Sequence, residues 1–389
     1  MTLEPATVVE TLASVLSGPA ALHEPTITGN EWDYVKDCLD TGWVSTAGGY
    51  VDRFEKMLAD FTGVGHAVAT VTGTAALHAA LVLAGVKADD EVIVPALTFV
   101  GTANAVTYLG AVPHFADAEE RTLGLDPAKL EAHLDDIAEI TDGICRNKVT
   151  GRRIAACVPV HTFGHPVDLD PLAVVCEKFN LVLVEDAAES LGSYYNGRHT
   201  GNHGRLSVLS FNGNKTVTTG GGGAILTNDA DLAAKAKHLT TTAKVAHKWE
   251  YSHDIAGFNY RLPNINAALG CAQMEQLSDF LEGKRRLAQA YEAAFANIDG
   301  VRFFTEPPFA KSNYWLNVLL LDPDMAALRD DILAATNDSD FMTRPAWTPL
   351  HRLPMFTDCP KMGLTVAEDL YARLINIPSS PGLAEAING

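Results

Sequence analysis

No CxxC pair occurs among the six cysteines of this 389-residue chain, Cys38, Cys145, Cys157, Cys176, Cys271 and Cys359. That absence excludes a zinc ribbon or a thioredoxin-type pair, and scattered thiols fit a reducing cytoplasm. Basic residues are few: 29 Lys and Arg against 48 Asp and Glu leave a formal charge of −19. An acidic chain without a long basic run is a poor partner for nucleic acid or an anionic membrane, although a local pocket can still hold one phosphate. No segment approaches the ~18 consecutive apolar residues of a membrane-spanning helix. The N-terminal stretch carries Glu4 and Glu10 and no Lys or Arg. A signal peptide is therefore not expected, and VVETLASVL reads as an amphipathic helix packed on the body or on a partner subunit.

What the chain does have is apolar material, 47% of it, enough for a large core. Short β-branched runs alternate with helical patterns. HAVATV (66–71), EVIVPAL (91–97), AVPHFADA (111–118), RIAACVPVHTFG (153–164), LVLVEDAA (181–188), LSVLSFN (206–212) and GAILTND (223–229) read as strands. Runs spaced by helices indicate a mostly parallel seven-stranded α/β sheet covered on both faces. Residues 263–298 read as one long helix, and SNYWLNVLLL and LINIPSS as later strands. The expected division is a large domain over 1–255, including an N-terminal helix within 1–22, and a small C-terminal α+β domain over 256–389.

Open α/β sheets bind ligands outside the carboxyl ends of their strands, and four such ends carry polar groups. In VTGTAALHAAL, Gly73 permits a tight turn and Thr74 opens a helix whose free amides suit a phosphate; a simple capped turn is the plainer alternative. In PALTFVGTANAV, Phe99 could stack on a flat ring or fill the core. In LVLVEDAAESLGS, Glu185 and Asp186 end an apolar strand, and buried carboxylates need a cation or hydrogen bonds. Glu189 is the only further close oxygen ligand, so no metal site is expected. In SFNGNKTVTTGGGG, the glycines follow Lys215 and precede another strand, unlike a Walker loop. An amine set among apolar strands loses its charge readily and becomes a nucleophile. A phosphate pocket, a stacking ring, a carboxylate and a lysine are together what pyridoxal 5′-phosphate requires.

The same stretches resemble a known family. GTAALHAAL, PALTFVGTANAV, PVHTFGHPVDLD, VEDAAESLGS, SFNGNK followed by TTGGGG, and GFNYRLPNINAALG are similar to the ordered motifs of the DegT/DnrJ/EryC1/StrS sugar-nucleotide aminotransferases of fold type I. The likeness runs from about residue 24 to the C-terminus. It implies that Lys215 is the Schiff-base lysine, Asp186 the partner of the pyridine nitrogen and Phe99 the ring stacked on the cofactor. Thr74, Ala75 and Ser210 match phosphate ligands, with Gly73 and Asn212 beside them. Asn259 matches an asparagine that reaches the phosphate of the other subunit, which implies a homodimer with shared active sites. Glu189 falls near the cofactor hydroxyl, and His161 either faces the cofactor or belongs to the core. Dehydratase relatives replace the lysine with histidine; here Lys215 is present, so amino transfer is expected.

EPTITGNEWDYVKDCLDTGWVSTAGGYV, TTTAKVAHKWEYSHDIAGFNYR and TRPAWTPLHRLPMF are similar to the branch that makes 4-amino sugars on the way to bacillosamine and legionaminic acid. That implies amino transfer from L-glutamate, which leaves as 2-oxoglutarate, to C4 of a nucleotide-linked 4-keto-6-deoxy N-acetylhexosamine. Trp43 and Ser45, with Tyr194, Lys244, His247, Trp249, Tyr314 and Trp315, are the expected sugar-nucleotide liners; the aromatics also suit core or subunit contacts. Another keto sugar, or a non-catalytic binding protein, are the competing readings.

Overall fold

The computed structural model describes residues 3–388; Met1, Thr2 and Gly389, at the outer ends of the two expected domains, lie outside the described residues. The seven apolar runs form the seven strands of one sheet: β1 (His66–Thr70), β2 (Glu91–Pro95), β3 (Val112–Ala116), β4 (Ile154–Cys157), β5 (Val182–Asp186), β6 (Leu206–Ser210) and β7 (Gly223–Thr227). Their order is β1-β7-β6-β5-β4-β2-β3. Strands β6, β5, β4, β2 and β3 are parallel, while β7 runs antiparallel to both β1 and β6. Every residue of β2 and β7 is buried, as expected for strands covered on both faces.

The helices are α1 (Pro5–Val15), α2 (Glu31–Thr41), α3 (Gly49–Thr62), α4 (Gly73–Leu83), α5 (Gly101–Thr107), α6 (Pro127–Ile137), α7 (Leu169–Lys178), α8 (Ala230–Thr240), α9 (Asn264–Glu275), α10 (Leu277–Phe295), α11 (Arg329–Asp338) and α12 (Thr365–Arg373). Helix α4 follows β1 after a two-residue turn and α5 follows β2 within one loop, so both N-termini stand at the carboxyl end of the sheet. Residues 75–81 of α4 are all buried. It is apolar on nearly all sides because α5, α8, β6 and β7 pack around it. Among the described residues no helix is long and apolar enough to cross a membrane.

A second, antiparallel sheet is built from β8 (Val301–Phe303), β9 (Asn317–Leu321), β10 (Arg344–Pro345) and β11 (Leu374–Ile377), in the order β8-β9-β11-β10. The single helix expected over 263–298 breaks in two. At Gln276 the amide bonds three residues back to Gln273, and its side chain donates to Glu31 Oε1 at 2.7 Å. Helix α9 packs on α2 and α3, whereas α10 packs on α1 and β8. The N-terminal helix packs on the C-terminal half. Val8 and Leu12 are buried in one cluster with Leu287, Tyr291, Phe295 and Ile332 of the C-terminal half. Its sequence shows an apolar stripe without saying which unit will cover it. We propose that the hand-over between the two units falls at Gln276, and that α1 belongs to the smaller one.

Candidate active site

A cavity of about 360 Å³ opens at the carboxyl ends of β1, β2, β5 and β6. The antiparallel pairing of β1 with β7 lies beside it. Gly223 pairs with Thr70 on one side and with Ser210 on the other. The residues after Thr70 pass so close that a Cβ on Gly223 would stand 2.5 Å from the Thr72 carbonyl. A Cβ on Gly73 would likewise meet Ser210 Cβ at 2.8 Å. Only glycine allows this approach.

The turn ends in the N-terminus of α4. Thr72 caps it, its hydroxyl oxygen accepting from the Ala75 amide at 3.0 Å. The amides of Gly73 and Thr74 lie in the first turn, where no helical acceptor exists, and the dipole adds partial positive charge. With the Ser210 hydroxyl against Gly73, they make an anion-binding end. Ala75, expected among the phosphate ligands, is not part of the cavity wall, and its amide is taken by Thr72.

Asp186 ends β5, nearly buried. Oδ2 accepts from Thr102 Oγ1 at 2.8 Å and Oδ1 from the Ala188 amide at 3.2 Å. Burial raises its pKa, and the Thr102 bond, the Ala188 amide, Lys215 and His161 oppose the rise. Lys215 Nζ lies 3.4 Å from Glu189 Oε1 and 3.6 Å from the centroid of the Trp315 ring. Burial lowers its pKa, and Glu189 and Asp186 only partly restore it. Glu189 is itself raised by burial. Its other oxygen accepts the Phe163 amide at 2.8 Å. Phe163 presents that amide from a left-handed backbone, φ 57°, and its ring stacks on Trp347 at 4.8 Å. A bulky residue in that region costs energy and persists only where the surroundings impose it.

Gly73, Thr74, Phe99, Asp186, Glu189, Ser210, Asn212 and Lys215 are thus brought to one cavity. His161 is not. It is fully buried, its Nδ1 accepts the Val167 amide at 3.2 Å, and its Nε2 faces Glu185 Oε2 at 3.1 Å. Both ring nitrogens of His161 are thus committed to the core beneath the site. Glu185 takes the amides of Gly201, His203 and Gly204. Burial would raise its pKa, but His161, His203 and the Gly201 amide outweigh it and hold it at about 2. Asn259 also lies outside the cavity. It is exposed, and its side-chain oxygen accepts from Arg261 Nε at 3.2 Å.

Of the eight expected sugar-nucleotide residues only Trp315 lines this cavity; Trp43, Ser45, Tyr194, Lys244, His247, Trp249 and Tyr314 do not. The carbonyls of Trp43 and Ser45 are held by Asn264. Tyr194 borders a separate depression with Asn196, Phe309 and Lys311. Lys244 Nζ sits over the Tyr251 ring at 3.8 Å, and His247 Nδ1 accepts the Glu250 amide at 2.9 Å. Tyr314 is buried in the C-terminal core between His165 and Phe303. Its neighbour Trp315 turns the other way and does reach the cavity. Thr72, Thr98, Thr102, Asn214 and Trp347 also line it and were not singled out by sequence. Thr102 and Trp347 stand inside stretches already quoted, without a local pattern to mark them. Among the described residues no group of three His, Cys, Asp or Glu could hold a metal ion.

An anion-binding helix end, a carboxylate for a ring N–H, an amine for an aldehyde and the Phe99 ring on the wall fit pyridoxal 5′-phosphate. Fold and site define a pyridoxal-phosphate-dependent enzyme of fold type I. Comparison with known proteins narrows the class. The family model described as the DegT/DnrJ/EryC1/StrS aminotransferase family matches residues 25–387. The chain is 39% identical over 365 residues to the GDP-perosamine synthase of Caulobacter vibrioides, covering 93% of each chain. It is 36% identical over 363 residues to the GDP-perosamine synthase of Escherichia coli O157:H7, covering 93% of this chain and 94% of that one. Among solved structures, the aminotransferase TlmJ from Streptoalloteichus hindustanus matches with a TM-score of 0.84 at 27% identity, covering 95% of both chains. The chain belongs to the DegT/DnrJ/EryC1/StrS aminotransferase family and is a pyridoxal-phosphate-dependent sugar-nucleotide aminotransferase.

Proposed function

We propose that this enzyme moves the amino group of L-glutamate to C4 of a nucleotide-linked 4-keto-6-deoxyhexose, releasing 2-oxoglutarate and a 4-amino sugar nucleotide for polysaccharide synthesis. The observation that carries the reading is the Lys215 amine, depressed in pKa by burial and set between Glu189 and Trp315. The name of the two relatives, GDP-perosamine synthase, supports a GDP-linked substrate and a 4-amino product. It lends nothing to the expected N-acetylhexosamine. A nucleotide-linked N-acetylhexosamine remains the second reading, resting on EPTITGNEWDYVKDCLDTGWVSTAGGYV.

When bound, pyridoxal phosphate supplies an electron sink for charge developing beside the amino-bearing carbon. Gly73, Thr74 and Ser210 would bind its phosphate, and Asp186 would hold the proton on its ring nitrogen. Thr102 orients that carboxylate. Lys215 Nζ would take the α-proton of glutamate as general base. In the second half of the cycle it would deliver a proton to C4 of the sugar. Its lowered pKa favours the free base that the first of these tasks needs.

We also propose a homodimer in the cytoplasm, with Asn259 serving the phosphate of the other copy. Its exposed position supports this, as do the exposed Trp249, Tyr251 and Ile255 on the same stretch. Free cysteines, five of them buried, suit a reducing compartment. The test is a panel of GDP-, UDP- and dTDP-linked 4-keto-6-deoxy sugars offered with L-glutamate, product mass being the readout. Turnover of the GDP-linked substrate at least ~10-fold above the rest, in kcat/KM, is expected. Preference for a UDP-linked N-acetylhexosamine would overturn the GDP assignment and favour the second reading.

A further inference from the structure

Trp315 touches both Lys215 and the residue before it. The face of its indole ring lies 3.6 Å from Lys215 Nζ. Its indole N–H donates to the Asn214 carbonyl, one residue before the lysine, at 2.7 Å. The tryptophan is almost wholly buried and comes from the other half of the chain, two residues before β9. Its backbone is fixed on several sides. The amide donates to Asn313 Oδ1 at 2.8 Å, and the next amide, of Leu316, to the Phe163 carbonyl at 3.2 Å. The Trp315 carbonyl accepts from Lys284 Nζ, a fully buried amine on α10, at 3.2 Å.

We propose that Trp315 is a positioning residue for Lys215: its ring gives the amine one resting place beside Glu189 and keeps water from it, while its N–H holds the backbone that carries the lysine. Two physical effects act on the amine through this one ring. The ring's electron-rich face attracts the ammonium form. The ring's bulk shuts water out, which favours the neutral form. The charged groups acting on Nζ are Glu189 and Asp186, both stabilising its charge; the nearby His23 is kept neutral, by burial first and then by Lys284 and Lys215. Removing the ring therefore has opposite consequences according to what replaces it. Leucine keeps the site dry and removes the attraction, so the amine loses its proton at lower pH. Alanine admits water, so the amine titrates closer to its ordinary range. Phenylalanine keeps both effects and loses only the N–H. The proposal concerns the amine itself; only its rate consequence rests on the proposed amino transfer.

The experiment uses the full-length protein freed of cofactor and measures acetylation of Lys215 against pH by mass spectrometry of its peptide. The midpoint is expected within ~0.3 unit of wild type in Trp315→Phe, lower by ~0.5–1 unit in Trp315→Leu, and higher by ~1 unit in Trp315→Ala. On reconstitution, the single-turnover reaction with glutamate should slow at least ~10-fold in Trp315→Leu, with KM for glutamate changed less than ~3-fold. Trp315→Phe should recover most of that rate. An unchanged midpoint in Trp315→Leu overturns the proposal, and so does an equal shift in the Phe and Leu variants. Should Trp315→Ala fail to fold, the Phe and Leu pair decides alone. Shifted midpoints without any rate change would leave the positioning role standing and count against the amino-transfer role of Lys215.

Discussion

Thr102 Oγ1 donates a 2.8 Å hydrogen bond to Oδ2 of Asp186, across from the helix that follows β2 to the end of β5. Burial raises the pKa of Asp186, and this bond is the largest influence opposing the rise. Thr102→Val removes the donor at nearly constant shape and leaves a buried oxygen without it. A hydrogen bond to a charged group contributes about 1.5–3 kcal/mol. Cofactor dissociation should rise on the order of 10–100-fold, and the acid limb of the activity profile should move to higher pH. Equilibrium dialysis of cofactor across pH 5–8 checks both. Wild-type retention at every pH would show that Thr102 does not hold this carboxylate.

The glycine run separates into positions that need glycine and positions that do not. A Cβ on Gly223 would stand 2.5 Å from the backbone of Thr72, whereas Gly221 has nothing within 4 Å of its added Cβ. Gly223→Ala forces β7 away from the turn before α4 and should cost about 1–3 kcal/mol. It should also loosen cofactor binding, because the same turn carries Gly73 and Thr74. Gly221→Ala should stay within ~0.5 kcal/mol of wild type. Urea denaturation of the two variants measures the difference, and equal losses would contradict the packing described.

Lys284 ties Trp315 and Ser379 together through their carbonyls, at 3.2 and 2.5 Å, with its amine fully buried. Burial lowers its pKa well below the ordinary 10.5. The unfolded chain then binds a proton that the folded chain releases, so this group makes stability rise with pH up to about 10.5. Lys284→Met removes that dependence. The stability of wild type relative to Lys284→Met should grow between pH 7 and pH 9, by up to about 1.4 kcal/mol per unit. Chemical denaturation at the two pH values provides the check; a constant difference would mean that Lys284 is charged in the fold.

Most of the cavity was legible because its makers sit where a strand pattern ends. Apolar runs marked β1, β2, β5 and β6, and the residues at or just beyond their carboxyl ends include Thr74, Phe99, Asp186, Ser210 and Lys215. Thr102 escaped because it acts from inside a buried helix, where a threonine looks like filler. Trp347 escaped because its place depends on stacking against Phe163, a contact between segments far apart in sequence. The sugar-nucleotide residues were chosen for their chemistry alone. Tyr314 shows the weakness of that choice, since it and Trp315 are adjacent and only the second faces the cavity. The N-terminal helix was visible as a helix, but its partner, the Leu287–Phe295 face of α10, could not be read from its own pattern.

The central claim is that the Lys215 amine performs the proton transfers of an amino transfer from glutamate to a sugar. It is tested most directly by Lys215→Ala, offered L-[15N]glutamate and a GDP-linked 4-keto-6-deoxyhexose, with product followed by mass spectrometry. Wild type should yield a 15N-labelled 4-amino sugar nucleotide and an equal amount of 2-oxoglutarate. The variant should fall by at least ~10⁴-fold, the upper range for losing a general acid–base group, while still binding cofactor without the lysine-bound chromophore. Labelled product from the variant at the wild-type rate would contradict the account.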